Sequence, residues 1–194
     1  GQAAAQLAEG MDLPPEAKAA LSRLHDKAEP VPFAIIKARV EAELAGDLKD
    51  LFRRFEEGPV GTASLGQAHA AELPDGTSVV VKVLHEGVDA SVASDLAALR
   101  TMLRAGGALK RKKEELDAVF DEIRARLDEE LDYRHEANNI RQFGRFFAGD
   151  PDVRIPAVHD GWSTGKVLTM ERIEGRPISV FAPTAPDAAR QRAG

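Results

Sequence analysis

The sequence contains no cysteine, which excludes disulfides, thiolate metal sites and thiol nucleophiles. That is compatible with a reducing compartment. Aromatic residues make up only 5%, with one tryptophan and one tyrosine. Trp162 lies beside a turn and reads as packing rather than as a base-stacking platform. No apolar run approaches the roughly 18 residues that a spanning helix needs, and no stretch of these 194 residues reads as a signal peptide. Basic charge is short as well: 26 Lys and Arg stand against 32 Asp and Glu, a net charge of −6. This argues against nucleic acid or a broad anionic-membrane footprint, while a local basic patch stays open. No repeat at solenoid periods is visible.

What is present fits a soluble globular protein. Hydrophobic residues are 43% and charged residues 30% of 194, enough chain to bury a core without staples. The chain starts at Gly1-Gln2 and its tail is not an obvious domain end, so it reads as part of a longer protein. Residues 1–55 read as a helical extension. Pro14-Pro15 and Pro30-Val31-Pro32 are breaks before helix starts, with Leu21 and Leu24, then Ile35, Ile36, Val40 and Leu44, at helical spacing. A short helix is expected around Leu48, Leu51, Phe52 and Phe55.

The character changes at Glu57-Gly58-Pro59. Residues 60–84 read as strand, hairpin, strand, with Pro74-Asp75-Gly76 as the turn. Residues 89–147 read as a helical insertion: one helix over 89–105, ending at Gly106-Gly107, then one long helix or two in line over 112–147. Leu116, Phe120, Ile123, Leu127 and Leu131 recur there at threes and fours. Two short strands follow, at 154–159 and 166–171. The fold class is α+β, a small antiparallel sheet covered by helices.

Lys82 stands inside the apolar run Ser78-Val79-Val80-Val81-Lys82-Val83-Leu84. Alternation puts Val80, Lys82 and Leu84 on one face and the other valines on the opposite face. A buried ammonium needs a carboxylate or phosphate. The competing reading is an edge-strand lysine that snorkels to water, and from the strand alone that reading comes first. The preceding run, Pro59 to His69, is rich in small residues that let a backbone approach a ligand and cradle phosphate with its N–H groups. Its position before a lysine-bearing hairpin is how a nucleotide-binding kinase lobe is built. Glu130 lies seven residues after Ile123 and shares its stripe on a continuous helix. Glu136, thirteen residues on, falls roughly 140° away. Each carboxylate also reads as a surface acid, Glu130 with Arg134 as a local partner. His25, His69, His85, His135 and His159 show no metal-ligand spacing.

Together these residues resemble the UbiB/ADCK family of atypical protein-kinase-like proteins (AarF-like kinases). The run Pro59 to His69 resembles the family's alanine-rich loop. Val79-Val80-Val81-Lys82 resembles the kinase Val-Ala-Ile-Lys strand. Glu130-Leu131-Asp132 resembles the Glu-x-Asp motif, and Glu136 the helix glutamate that pairs with the strand lysine. Val167 to Gly175 resembles the hinge strand, with Met170 as gatekeeper. Gly1-Gln2 resembles the end of the Lys-x-Gly-Gln motif. Three departures are visible: that motif's lysine is not in the sequence, Gly61 and Thr62 stand where alanines are usual, and Val80 replaces an alanine beside the adenine pocket.

The resemblance implies a kinase-like N-lobe over 56–175, the start of a C-lobe over 176–194, and ATP or ADP as ligand. Lys82 would hold the α- and β-phosphates and be oriented by Glu136. Gly61, Thr62, Ala63 and Ser64 would cover the phosphates. Val80 and Met170 would line the adenine pocket, and backbone groups of Glu171 and Ile173 would hydrogen-bond adenine. Glu130 and Asp132 would meet the N-terminal extension near the site. Catalytic aspartate and Mg²⁺ ligands would come from a C-lobe, so residues 1–194 alone are expected to be inactive. The resemblance further implies atypical kinase or ATPase activity supporting ubiquinone or other isoprenoid-lipid metabolism. It implies partners among a membrane, its lipids and a biosynthetic complex, and a cytoplasmic location peripheral to a bacterial inner membrane. The alternative is a non-catalytic scaffold that binds lipid or protein with a vestigial nucleotide pocket.

Overall fold

The computed structural model describes residues 30–63, 65–105 and 113–175. The helix expected after Pro14-Pro15, Ser64, Gly106-Gly107 and the segment 176–194 lie outside them. Element order is α1 (Phe33–Leu44), α2 (Leu48–Leu51), β1 (Arg54–Thr62), β2 (Gly66–Glu72), β3 (Ser78–Leu84), α3 (Val88–Ala105), α4 (Lys113–Glu130), α5 (Tyr133–Phe146), a 3₁₀ turn (Asp160–Trp162) and β4 (Val167–Glu171). The strands form one antiparallel sheet in the order β1-β2-β3-β4. This is a kinase-like α+β arrangement.

The sheet is covered on both faces. Val79, Val81 and Val83 are wholly buried and pack with Ile36 and Val40 of α1 and with Leu48 and Phe52. Leu84 and Leu168 turn the other way and pack with Leu131, Tyr133 and Ala137 at the junction of α4 and α5. Each fully buried aliphatic side chain contributes about 1.5–3 kcal/mol, so residues 33–52 share their core with the sheet. A third cluster, Leu96 with Phe120, Ile123 and Leu127, joins α3 to α4. Among the described residues no helix is long and apolar enough to cross a membrane.

Four local expectations need correction. Phe55 belongs to β1, not to the short helix, which stops at Leu51. β1 begins at Arg54, well before residue 60: it is an edge strand, and register shifts around Pro59 absorb the residue that cannot donate to the ladder. The strand expected at 154–159 does not form. Pro156 removes a donor in mid-segment, and Val158 makes only an isolated bridge to Met170. Finally, β3 is not an edge. It is paired on both sides, with Lys82 opposite Ala68 and Leu168, so the snorkelling-edge reading of Lys82 fails.

Candidate functional site

The 113–147 stretch is two helices, and the break between them builds the site. Leu127, Leu131 and Tyr133 are all buried, but no single helix can put residues two apart on the same face. The chain resolves this at Asp132, whose backbone is extended (φ −124°, ψ 102°). Its side chain accepts a hydrogen bond from the Arg134 N–H at 2.9 Å, an N-cap that starts α5 afresh. The restart changes the phase of everything after it. Tyr133, Glu136, Ala137 and Ile140 now share one face, so Glu136 points at the sheet instead of falling away from the apolar stripe as a continuous helix would have it.

Lys82 meets it there. Its Nζ lies 2.6 Å from both Glu136 Oε1 and Oε2, and 5.0 Å from the centre of the Tyr133 ring. The ring's electron-rich face adds a cation–π contact to the ion pair. The two charged side chains are 30% and 39% exposed, so the pair is open to a cavity and not sealed in the core. Burial, with the Glu136 charge beside it, raises the Tyr133 pKa and keeps its hydroxyl protonated.

The cavity they open on has a volume of about 690 Å³. Gly61, Thr62, Ala63, Lys82, Glu130, Asp132 and Glu136 all line it. The turn between β1 and β2 is tight: the Ala63 N–H donates to Gly66 O at 2.8 Å, so that N–H is spent within the loop. Gly66 brings β2 close to β3 and to the site. A Cβ there would lie 2.5 Å from Val83 O and 2.9 Å from the Tyr133 hydroxyl. Val80, Met170, Glu171 and Ile173 do not line this cavity. Val80 and Met170 face each other across the β3–β4 ladder, on the same side of the sheet as Lys82. The Glu171 N–H is taken by Ala157 O at 2.7 Å, and its carboxylate is held below the usual range, first by Arg154 and then by the Ala157 N–H.

Sequence reasoning missed three lining residues that matter. Tyr133 sits inside the run singled out for its acids, but its role depends on the helix break. Arg126 and Gln67 also line the cavity. Gln67 is buried and clamps the segment ahead of α1: its Oε1 accepts from Val31 N–H at 2.8 Å, and its amide donates to His69 Nε2 at 2.9 Å. His69 Nδ1–H donates in turn to Glu56 O at 2.8 Å. That fixes the neutral tautomer, and burial lowers the His69 pKa. Among the described residues no group of three His, Asp or Glu side chains is placed to hold a metal ion.

Residues 23–191 match the ABC1 atypical kinase-like domain. The chain is 37% identical over 166 residues to the mitochondrial atypical kinase COQ8 of Saccharomyces cerevisiae, covering 86% of this chain and 33% of that protein. It is 36% identical over 170 residues to a Pseudomonas paraeruginosa protein named "Probable protein kinase UbiB", covering 86% of this chain and 32% of that protein. The chain thus spans about a third of the length of these curated relatives. A Mycobacterium tuberculosis protein, Rv3197, solved in complex with erythromycin, superposes with a TM-score of 0.70 at 30% identity, covering 96% of this chain and 47% of that one. The match over most of its length shows that the chain belongs to the ABC1 atypical kinase-like family, with UbiB and COQ8 among its relatives.

Proposed function

We propose that this chain carries the phosphate-binding half of an ATP or ADP site in an atypical kinase or ATPase of the UbiB/ADCK type. One observation supports the reading above the others: a lysine on a central strand, oriented by a helix carboxylate and an aromatic face, at the wall of a cavity of about 690 Å³. In this reading Lys82 donates to the α- and β-phosphate oxygens. Glu136 holds the ammonium aimed at them, and Tyr133 keeps water from one side of it. The Gly61–Ala63 turn covers the phosphates, while Val80, Met170 and the backbone of Glu171 and Ile173 serve the adenine. With the Glu171 N–H already spent, its carbonyl is the group left for the base. Asp132 acts through the helix start, and Glu130 from the cavity wall.

The charge of the cavity lining bears on which form of the nucleotide it suits. Glu129, Glu130, Asp132 and Glu136 all line the cavity. A bare triphosphate is repelled by that many carboxylates, so the site suits the nucleotide as its magnesium complex. The metal ion, when bound, would neutralise phosphate charge, and catalysis would rest on positioning and charge stabilisation. The family resemblance supports a further role in ubiquinone or other isoprenoid-lipid metabolism, at a membrane and with biosynthetic partners.

The test is a calorimetric titration of residues 1–194 with ATP, with and without Mg²⁺, beside Lys82→Met. Losing a charge-assisted hydrogen bond should weaken binding about tenfold or more. Equal affinity for the two proteins would remove Lys82 from the site.

A further inference from the structure

The Lys82–Glu136 pair depends on where α5 begins, and α5 begins against a loop from another part of the chain. Thr164, Gly165 and Lys166 precede β4. The Gly165 carbonyl accepts the N–H of Tyr133, the first residue of α5, at 2.9 Å. Lys166 Nζ donates to the Leu131 carbonyl at 3.0 Å, the last buried residue before the break. Gly165 is itself buried, and a Cβ there would stand 2.8 Å from Asp132 Oδ1, the atom that caps the helix, and 3.2 Å from Arg134 Nη1. The loop is rigidly held in turn. The Thr164 hydroxyl accepts from the Lys166 and Val167 N–H groups and donates to Glu43 Oε2 of α1 at 2.7 Å. Val167, the next strand residue, is fully buried.

We propose that Gly165 and Lys166 are positioning residues for the Lys82–Glu136 pair: they fix the first turn of α5 from the sheet side, and Glu43 anchors their loop to α1. Tyr133 stacks under the lysine, and Glu136 is one turn on from Tyr133. A shift at the Tyr133 N–H therefore moves both the aromatic face and the carboxylate that hold the ammonium. A Cβ at position 165 would crowd the Asp132 oxygen that caps α5, so the glycine lets its carbonyl reach Tyr133 with the cap in place. The contacts of Gly165 and Lys166 with the start of α5 carry this inference without any ligand; only its consequence for nucleotide affinity rests on the function proposed above.

The experiment reads the pair directly, without nucleotide. Residues 1–194 are treated with a limiting amine-acylating reagent, and modification of Lys82 is followed by mass spectrometry with the exposed Lys49 as internal reference. Amide exchange of β3 is followed in parallel. Gly165→Ala should raise the Lys82 rate about fivefold relative to Lys49, with β3 exchange unchanged and no further rise when Glu136→Gln is added. An unchanged Lys82 rate, a rise that adds to that of Glu136→Gln, or a rise matched by faster exchange throughout β3 would each overturn the proposal. Should Gly165→Ala fail to fold, Lys166→Met decides: it keeps the aliphatic stem and removes only the bond to Leu131. A rise of about twofold is then expected, and no rise overturns the proposal. If the wild-type chain showed no nucleotide binding, the functional reading would fall while these labelling results stood unaffected.

Discussion

The ammonium of Lys82 lies 2.6 Å from each carboxylate oxygen of Glu136, a residue 54 positions further along the chain. Both groups are about a third exposed, so solvent screens much of their attraction. The pair is therefore a device for orientation more than for stability. Glu136→Gln should lower the unfolding free energy by no more than about 1 kcal/mol, while weakening ATP binding more than that figure converts to. Urea unfolding and nucleotide titration of the same variant separate the two. A large stability loss with unchanged affinity would make the pair structural.

Asp132 should behave as a helix cap. Asp132→Ala is expected to cost about 1 kcal/mol, and Asp132→Asn close to nothing, because asparagine caps about as well as aspartate. Denaturant midpoints of the two variants check this. Equal losses would mean that the carboxylate charge, paired with Arg134 at 3.6 Å, matters more than the cap.

Gly66→Ala should be destabilising for steric reasons. The new Cβ would collide with a backbone carbonyl 2.5 Å away, and β2 cannot retreat without losing its ladder to β3. A loss of about 1–3 kcal/mol is expected, read from thermal or urea unfolding. A neutral substitution would mean that β2 and β3 lie further apart than described.

Much of this was legible in the sequence. The valine run with its one lysine, the Asp-Gly hairpin and the alternation across β3 gave the strand and the face that carries Lys82. The partner was also legible, through the family resemblance. Position on a helical wheel pointed the wrong way, because Glu136 lies roughly 140° from Ile123 on an unbroken helix. What the wheel could not see is the restart at Asp132, driven by the need to bury Leu131 and Tyr133 together. Pro59 hid the first half of β1, since an edge strand tolerates what a central one does not. Residues 154–159 read as a short strand, and the missing donor at Pro156 decides against it. Tyr133 and Gln67 act through contacts with residues 51 and 36 positions away, which no local pattern encodes.

Acid should loosen the clamp on the segment ahead of α1. His69 is neutral in the fold, with its pKa lowered chiefly by burial, although its bond to Glu56 works in the opposite direction. Burial lowers the His85 pKa as well. The unfolded imidazoles take up protons near their ordinary value of about 6.5, so below it the unfolded state binds more protons than the folded one. Stability contributed by these groups is therefore complete above about pH 6.5 and declines as pH falls, by at most about 1.4 kcal/mol per pH unit for each histidine. Urea midpoints at pH 7.5 and 5.5 should show the drop, and His69→Gln should reduce it. A wild-type midpoint that did not fall in that window would contradict the neutral assignment.

The central claim is that phosphate oxygens reach Lys82, and nucleotide protection of that one amine tests it most directly. Residues 1–194 are acylated with a limiting reagent in the absence and presence of saturating Mg²⁺-ATP, and modification is read lysine by lysine. The account predicts that ATP slows modification of Lys82 about tenfold and leaves the exposed Lys37 and Lys49 unaffected. Modification of Lys82 at the same rate with and without nucleotide, in a chain that binds ATP by titration, would contradict it.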